Sequence, residues 1–461
     1  MGVAALVPIL CLVLSGAVMG ILESREPARR GQVLGLAWMG TSAAILAGLR
    51  LWGHRASTPA WVESDPLTQF TSLIVLFGLA LSLPLANSAA HRVRGGTPDR
   101  LSVLILTAAA ALLILSTRHL AIVFLGFEAV SLGAFSLTPP LSAKDYLRSG
   151  AARASLAILG GTALLYATAG TARLEDIEGT LGLASGSPSI VAMAVAMVIL
   201  GVYSVAAMVV LRVSSVSSPA GLGTILFFSV ALPVSSMSVL LQIAGWLPSL
   251  HAESSLLWWI AALGMTWGNV AALVQDDPRR LLAYASLAQL GYLSIGVVAA
   301  SDAGRAAVLF GLLAFLSMAV GLVAAATALG IPGHFSLRRW RGFGWRTRWR
   351  GLATSAVLLS LAGIAPTAGF LGKFYLLSAA IERGLIPLAL IALANWLVGA
   401  YVFLHLGARL YLGDPPPESD LPALSLGLRI LLLLGACSAV LLGVVPELPL
   451  AMAKRAAMGF F

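Results

Sequence analysis

Two ionisable residues lie inside long apolar stretches of the chain. Glu128 is in the middle of HLAIVFLGFEAVSLGAFSL, and Lys373 is in LAGIAPTAGFLGKFYLL. An ionisable group at membrane depth costs several kcal/mol unless it is paired or hydrated, so a functional role is the first interpretation of each. The chemistry that suits them is proton relay or charge coupling. A buried structural ion pair is the alternative.

The stretch around Lys373 also carries the signals of a broken helix. Pro366 lies in its middle, flanked by Gly363 and Gly369. Proline removes one helical hydrogen bond and clashes with the preceding turn. Such breaks are tolerated at membrane depth where the loosened backbone is packed or lines a wet cavity. A lysine one to two turns beyond the break is well placed to exchange protons, because desolvation favours its neutral form. A kinked packing helix is the alternative.

Further polar groups lie within apolar stretches. In QDDPRRLLAYASLAQLGY, residues 275–292, the side chains of Tyr284 and Gln289 recur at helical spacing together with one serine and a second tyrosine. A hydrated hydrogen-bonded path and polar contacts between helices are equally good interpretations. His405, Asn269 and Asn395 are single polar residues for which we expect interhelical hydrogen bonds. His405 is kept as a further proton-translocation candidate.

The elements that must position these residues are membrane helices. The chain has 461 residues, of which 59% are hydrophobic and only 10% charged, with a mean hydropathy of +0.94. A soluble globular chain is about a quarter charged. Apolar stretches of about eighteen or more residues, long enough to cross a bilayer, recur from end to end. We therefore predict an all-α, polytopic membrane protein that forms a single membrane domain over residues 1–461.

About fourteen transmembrane helices are predicted from these stretches. They lie at roughly 3–22, 33–51, 69–89, 101–117, 119–138, 149–170, 189–211, 220–246, 255–275, 280–300, 303–330, 353–379, 385–412 and 427–447.

The distribution of basic residues predicts the orientation. Loops after odd-numbered spans hold twenty of the 29 Lys and Arg residues, and the other loops with the C-terminal tail hold eight. The remaining one is Lys373. The positive-inside rule places the first set of loops in the cytoplasm and both termini outside. The basic segment 331–352 fits a cytoplasmic topology anchor, with a lipid-headgroup or partner-subunit contact as the alternative. No basic stretch on a soluble face indicates nucleic-acid binding, and the two cysteines have no metal-ligand spacing.

Three segments resemble the antiporter-like membrane subunits of respiratory complex I, and are most similar to the subunit N group of NADH–quinone oxidoreductases. HLAIVFLGFEAVSLGAFSL resembles the fifth helix of that family and places Glu128 at its functional glutamate. QDDPRRLLAYASLAQLGYLSIG resembles a second family helix, with Arg279 at a lysine position. LAGIAPTAGFLGKFYLLSAAIERG resembles the broken twelfth helix, with Lys373 at its lysine.

The resemblance implies a fold and a set of partners. It implies two inverted five-helix repeats, at 101–246 and 255–412, with a broken helix in the second. It implies proton translocation coupled to quinone reduction, with other complex I membrane-arm subunits and the lipid bilayer as partners. No soluble small-molecule substrate is expected to bind this chain. Quinone, FMN and iron–sulfur clusters would belong to partner subunits. The implied location is the bacterial inner (plasma) membrane.

Two departures from the family pattern affect the first repeat. The family has a lysine in the seventh helix that pairs with the helix-five glutamate, and another in the eighth. Here the matching positions hold Val205 and Ser235, which carry no charge. Glu128 is therefore expected to lack its lysine partner, to be protonated by desolvation and largely silent, which makes the first half-channel degenerate.

Three hypotheses follow. The first is a complex I subunit whose second repeat keeps part of a proton route, coupled electrostatically to quinone reduction elsewhere. The second is a structural subunit of the arm that no longer pumps. The third is a subunit of a related machine, such as a multisubunit cation/proton antiporter, a membrane-bound hydrogenase or an ion-coupled uptake complex.

Overall fold

The computed structural model describes residues 4–25, 30–54, 56–57, 61–90, 101–138, 143–181, 188–215, 221–244, 251–329, 336–413 and 424–458. Within these ranges the chain is helical apart from turns and one two-stranded antiparallel ribbon, in which β1 (Ala56–Ser57) pairs with β2 (Glu63–Ser64). The all-α prediction is confirmed. Parts of the predicted cytoplasmic anchor, including residues 331–335, lie outside the described residues.

The described residues in the first half of the chain form ten helices. They are α1 (Val7–Arg25), α2 (Arg30–Arg50), α3 (Pro66–Ala90), α4 (Leu101–Ser116), α5 (Leu120–Ser136), α6 (Ala143–Leu147), α7 (Gly150–Ala169), α8 (Leu174–Leu181), α9 (Pro188–Ser214) and α10 (Gly221–Ile243).

The second half forms nine more. They are α11 (His251–Leu273), α12 (Pro278–Val298), α13 (Asp302–Leu329), α14 (Phe343–Arg346), α15 (Arg348–Ala362), α16 (Ala368–Glu382), α17 (Ile386–Tyr411), α18 (Leu426–Val444) and α19 (Glu447–Met458). A 3-10 turn at Leu337–Trp340 precedes α14.

Eleven of the described helices are long and apolar enough to cross a membrane, and α4 and α5 are shorter apolar helices. The bundle centre is formed by α10 and α13. In the most apolar segment of each helix, 100% and 94% of the residues are buried. At the rim, α1, α2 and α18 expose most of their apolar side chains. Apolar residues on the outside of a bundle of this size are the normal surface of a membrane protein, because lipid is the solvent there.

Close helix contacts in the second half depend on small residues. Gly264 and Gly268 of α11 are spaced as in a GxxxG motif. An added Cβ on Gly268 would overlap the backbone of Ala288 in α12, and one on Gly291 would overlap Met265 in α11. Small residues let transmembrane helices approach closely where no hydrophobic effect drives them together. This packing fixes the register of the polar side chains on α11 and α12.

The start of α12 has the caps expected from its sequence. The Asp277 carboxylate accepts a hydrogen bond from the Arg279 backbone N–H, and Pro278 occupies the first turn. An aspartate at the N-cap followed by proline is a favoured helix start.

Four short helices lie outside the predicted spans. Of these, α19 follows the last predicted span and packs on α13 and α3. It buries Ala453, Ala456 and Ala457 on one face, while Lys454 is exposed. Its apolar face is built from alanine, which gives a weaker hydropathy signal than the leucine-rich spans.

Candidate functional site

The predicted helix break is present. The helix α15 ends at Ala362, and α16 begins at Ala368. Gly363 caps α15 with a left-handed backbone at φ 77°, a conformation that favours glycine. Pro366 lies in the interruption after a cis peptide bond, and Thr367 is the N-cap of α16.

Side chains from two helices bind the carbonyl groups at the end of α15. The Lys373 Nζ donates to the Leu361 carbonyl at 3.4 Å, and the Trp396 indole Nε1 donates to the Ala362 carbonyl at 3.0 Å. These carbonyls are among the last four of a helix, which have no partner within the helix itself. Because the helix C-terminus carries partial negative charge, it favours the charged ammonium of Lys373.

The start of α16 is held against α15. The Gly369 backbone N–H donates to the Ser360 hydroxyl at 3.1 Å. An added Cβ at Gly369 would overlap the Ser360 carbonyl, so only glycine allows this approach. On the other side, Gly443 of α18 lies directly against the backbone of Pro366 and Thr367. The break is therefore a packed structure with its polar groups engaged.

Lys373 is buried, with 8% of its surface exposed. Its Nζ lies 5.3 Å from the ring centre of Tyr292 and 5.5 Å from that of Trp396. Aromatic faces at this range attract a cation. Among the residues that the structure describes, no carboxylate forms an ion pair with Lys373. The amine is thus held by a carbonyl and two rings.

The polar side chains near Lys373 form hydrogen bonds between helices. Asn269 of α11 donates to the Tyr292 hydroxyl at 3.2 Å, and Asn395 of α17 donates to the Thr266 hydroxyl of α11 at 3.0 Å. The expected interhelical role of both asparagines is confirmed. Tyr292 touches Asn269 through its hydroxyl and Lys373 through its ring.

The other predicted site residues lie at different depths. Gln289 is buried on α12, and Tyr284 is half-buried one to two turns earlier in the same helix. His405 is exposed near the end of α17, where its ring stacks on Tyr401 with centres 5.6 Å apart. The structure therefore brings together Lys373, Pro366, Gly363 and Gly369 at the break. It places His405 more than two turns beyond Trp396 on α17.

A tyrosine that the sequence analysis did not single out lies where the two halves meet. Tyr203 of α9 is buried, with 8% of its surface exposed. Its hydroxyl occupies the notch left by Gly264 of α11, and an added Cβ there would overlap it. Within the described residues the hydroxyl has no hydrogen-bond partner. Gly291 also lines this notch, and it directly precedes Tyr292 on α12.

Glu128 has a partner from an unexpected element. The Tyr146 hydroxyl of α6 donates to Glu128 Oε1 at 2.5 Å, while Oε2 has no hydrogen-bond partner among the described residues. The Tyr146 ring also packs edge-on against Phe135, and the Arg212 guanidinium lies 5.5 Å from the centre of the Phe135 ring. The side chain beside Glu128 is therefore a tyrosine, and an arginine lies over the neighbouring Phe135 ring.

The two positions without lysine are inside the bundle. Val205 of α9 and Ser235 of α10 are both buried, at 0% and 1% exposure. Other polar side chains of α10 are buried as well, and Ser238 and Gln242 lack hydrogen-bond partners within the described part of the chain. The interior around α10 is thus uncharged at these positions, but it is not uniformly apolar.

A multi-span bundle with a broken helix and a buried lysine at the break is typical of ion-translocating membrane proteins. A family model described as the transmembrane part of NADH:quinone oxidoreductase/Mrp antiporter matches residues 117–398. The chain belongs to this family of antiporter-like membrane subunits.

Similar proteins cover nearly the whole chain. The NADH-quinone oxidoreductase subunit N 1 of Sorangium cellulosum is 30% identical, with 98% of each chain covered. Subunit N of Geotalea uraniireducens is 32% identical over 89% of this chain and 90% of its own. Respiratory complex I from Thermus thermophilus contains a chain with a TM-score of 0.79 and 24% identity, covering 96% of this chain and 98% of that one. A chain of the Mrp complex from Dietzia sp. DQ12-45-1b has a TM-score of 0.81 and 19% identity, with 99% and 97% covered. These structural likenesses show a shared fold.

Proposed function

We propose that this chain is a membrane-arm subunit, of the subunit N type, in a proton-translocating NADH–quinone oxidoreductase, and that its second repeat carries part of the proton route. The observation that carries the proposal is the buried Lys373 amine at the helix break, held by the Leu361 carbonyl without a carboxylate partner among the described residues. Such an amine can exchange a proton without first breaking an ion pair. Charge shifts elsewhere in the complex would change its proton affinity.

The wider architecture follows from the same proposal. The two shorter apolar helices α4 and α5, and the interrupted pair α15 and α16, would bring the number of membrane crossings to fourteen. The inverted repeats would span 101–246 and 255–412, with both termini on the periplasmic side of a bacterial inner membrane. Quinone, FMN and iron–sulfur clusters would be bound by partner subunits, so this chain performs no redox chemistry itself.

The test is a comparison of Lys373→Ala and Lys373→Arg with wild type in the complete complex, reconstituted in proteoliposomes. We expect fewer protons translocated per electron in both variants, because alanine removes the amine and arginine stays protonated. Lys454→Ala on the exposed face of α19 is the matched control and should behave as wild type. An unchanged proton-to-electron ratio in assembled Lys373 variants would rule out the transport role.

A non-pumping structural subunit is the second candidate. It is favoured by the uncharged, buried Val205 and Ser235 at the positions of the family lysines. The same proteoliposome assay distinguishes a pumping from a non-pumping subunit. If the subunit is only structural, Lys373→Ala leaves the proton-to-electron ratio unchanged as long as the complex assembles.

A related ion-translocating complex is the third candidate, because the description of the matching family names the Mrp antiporter as well. Purification of the complex from its native membrane decides this point. Co-purifying NADH-oxidising and iron–sulfur subunits support the oxidoreductase, and their absence from an intact complex contradicts it.

A further inference from the structure

A cavity of about 430 Å³ opens near the end of α17. Its described lining consists of Arg338, Arg341, His405, Ala408, Arg409 and Leu412. Three of these six side chains are guanidinium groups, and none is acidic. The cavity is separate from the Lys373 site.

Backbone and side-chain bonds hold the walls of this cavity in place. Asp276 lies between two of the arginines: its carboxylate contacts Arg338 Nη2 at 2.6 Å and Arg409 Nη1 at 3.9 Å. The Asp276 carbonyl also accepts from the Leu337 N–H at 2.8 Å, and the Gly342 N–H donates to the Arg409 carbonyl at 3.3 Å. The segment 337–342 is thereby tied to the start of α12 and to the end of α17.

Among the described residues, the charges at the cavity do not balance. One carboxylate, Asp276, serves two arginines, because the neighbouring Asp277 pairs with Arg279 at 2.7 Å. Among the described residues Arg341 has no ion pair. A surplus of planar guanidinium groups around one concave space suits a phosphate, which accepts paired hydrogen bonds from arginine.

The cavity continues into an apolar surface along α17. Leu397, Tyr401 and Leu404 lie on the exposed face of this helix, with 68%, 60% and 43% of their surfaces exposed, and Leu412 follows at 64%. Trp345 is 70% exposed beside the end of α17, where its indole N–H donates to the Tyr411 carbonyl at 3.1 Å. Exposed tryptophan and tyrosine next to arginine are characteristic of the level of the lipid headgroups. An anion bound in the cavity is thus positioned at the end of a surface that contacts acyl chains.

We propose that this cavity binds the phosphate headgroup of an anionic phospholipid, whose acyl chains lie along the exposed face of α17. Arg341 supplies a charge that has no ion pair among the described residues, while Arg338 and Arg409, held by Asp276, form the wall. The apolar face leading into the cavity favours a lipid over free phosphate. This proposal is independent of whether the chain pumps protons.

The experiment is native mass spectrometry of the chain released from its purified complex, after equilibration with phosphatidylglycerol or phosphatidylcholine. We expect one retained phosphatidylglycerol. In Arg341→Gln, its affinity should fall about fivefold, which corresponds to roughly 1 kcal/mol per arginine near a membrane surface. This variant leaves both Asp276 contacts intact, and Arg341→Lys should retain an intermediate affinity because the charge remains. Arg348→Gln, an exposed arginine of the same basic segment outside the cavity lining, is the matched control.

Several results would overturn the proposal. One is equal retention of phosphatidylglycerol by wild type and Arg341→Gln. Another is a loss of phosphatidylglycerol affinity in Arg348→Gln as large as that in Arg341→Gln. Equal retention of phosphatidylcholine and phosphatidylglycerol would show that the cavity does not recognise the negative charge of the lipid. Displacement of the lipid by an equimolar amount of inorganic phosphate would identify a free-anion site. Release of a chain without phosphatidylglycerol from the intact complex would indicate that a neighbouring subunit occupies the cavity.

Discussion

Lys373 forms few contacts for a charged residue at this depth. Its 3.4 Å hydrogen bond to the Leu361 carbonyl and the two aromatic rings stabilise the ammonium only moderately. The attraction of a helix C-terminus for a cation is worth about 0.3–1 kcal/mol at the surface and up to about 2 kcal/mol in partly buried geometries. A full ion pair in the interior would hold the proton more strongly. A carbonyl partner therefore suits the proton-exchanging role proposed for Lys373.

Removing the Tyr203 hydroxyl should have different effects on the stability of the complex and on proton translocation. In Tyr203→Phe only the hydroxyl is lost. Because that hydroxyl is buried without a hydrogen-bond partner among the described residues, its removal should leave the melting temperature unchanged or raise it. If the hydroxyl links α9 to the polar residues around Lys373, we expect the proton-to-electron ratio to fall severalfold. The measurements are thermal unfolding of the purified complex and proton uptake in proteoliposomes.

Tyr166→Phe is the control for this prediction, since Tyr166 is 59% exposed on α7. It should affect neither quantity. A Tyr203→Phe complex that pumps as wild type would show that the hydroxyl has no part in the route.

Tyr146 and Tyr203, both in the first half of the chain, make contacts that the sequence does not indicate. Lys373, Gly363 and Pro366 were predicted because helix breaks and buried charges are local signals. Tyr146 contacts Glu128 only because α6 returns towards α5, and Tyr203 contacts Gly264 only because α9 meets α11. Neither approach leaves a spacing pattern in the sequence. The expectation that Glu128 lacks a lysine partner stays a prediction, and its tyrosine partner was missed.

At the scale of elements, hydropathy was sufficient for the long helices. Each predicted span corresponds to an observed helix within a few residues, and the span at 353–379 is divided into α15 and α16 around Pro366 as predicted. The short helices α6, α8, α14 and α19 were not predicted. Their formation depends on packing against helices that are already in place, since helices this short are marginal alone.

The close packing at the helix break predicts that Gly369 cannot be replaced without a loss of stability. In Gly369→Ala the new methyl group would overlap the Ser360 carbonyl, so α15 and α16 must move apart and the contact from Gly369 N–H to the Ser360 hydroxyl is lost. We expect destabilisation of about 1–3 kcal/mol, the range for overpacking in a well-packed interior, together with a reduced proton-to-electron ratio. Denaturant or thermal unfolding of the purified complex measures the first effect.

Gly372→Ala is the matched control on the same helix. Its Cβ would be in ordinary contact at 3.6 Å from Gly311 and 3.8 Å from Ala314, so the cost should be below about 1 kcal/mol. Equal effects of the two substitutions would contradict the idea that close approach at Gly369 shapes the break.

At the scale of the whole molecule, the class of fold was accessible from composition alone. A chain with 10% charged residues and recurrent apolar stretches has few alternatives to a helical membrane bundle. The central position of α10 and α13 could not be predicted from composition or hydropathy. Their sequences are as apolar as those of the rim helices, so hydropathy cannot distinguish burial in protein from contact with lipid.

The predicted orientation of the molecule can be tested by labelling. In a Cys11→Ser, Cys437→Ser background, single cysteines are introduced as Lys454→Cys on α19 and Arg348→Cys at the start of α15, both exposed positions. In right-side-out vesicles a membrane-impermeant maleimide should label Lys454→Cys and leave Arg348→Cys unlabelled. Inverted vesicles should give the opposite pattern. The reverse assignment would overturn the orientation derived from the basic loops.

The contacts of Asp276 connect the arginine cavity to α12, which packs against Lys373. This residue joins the segment at 337–342 and the end of α17 to the first turn of α12, the helix that carries Tyr292 beneath the Lys373 amine. An anion bound in the arginine cavity would also attract Arg338 and Arg409, and any weakening of their contacts with Asp276 would alter the anchoring of α12. If anion binding changes the affinity of Lys373 for a proton through α12, thermodynamic reciprocity requires that protonation of Lys373 change the affinity for the anion by the same factor. If the proposed lipid binds, the composition of the surrounding bilayer would then influence the proton affinity of the lysine.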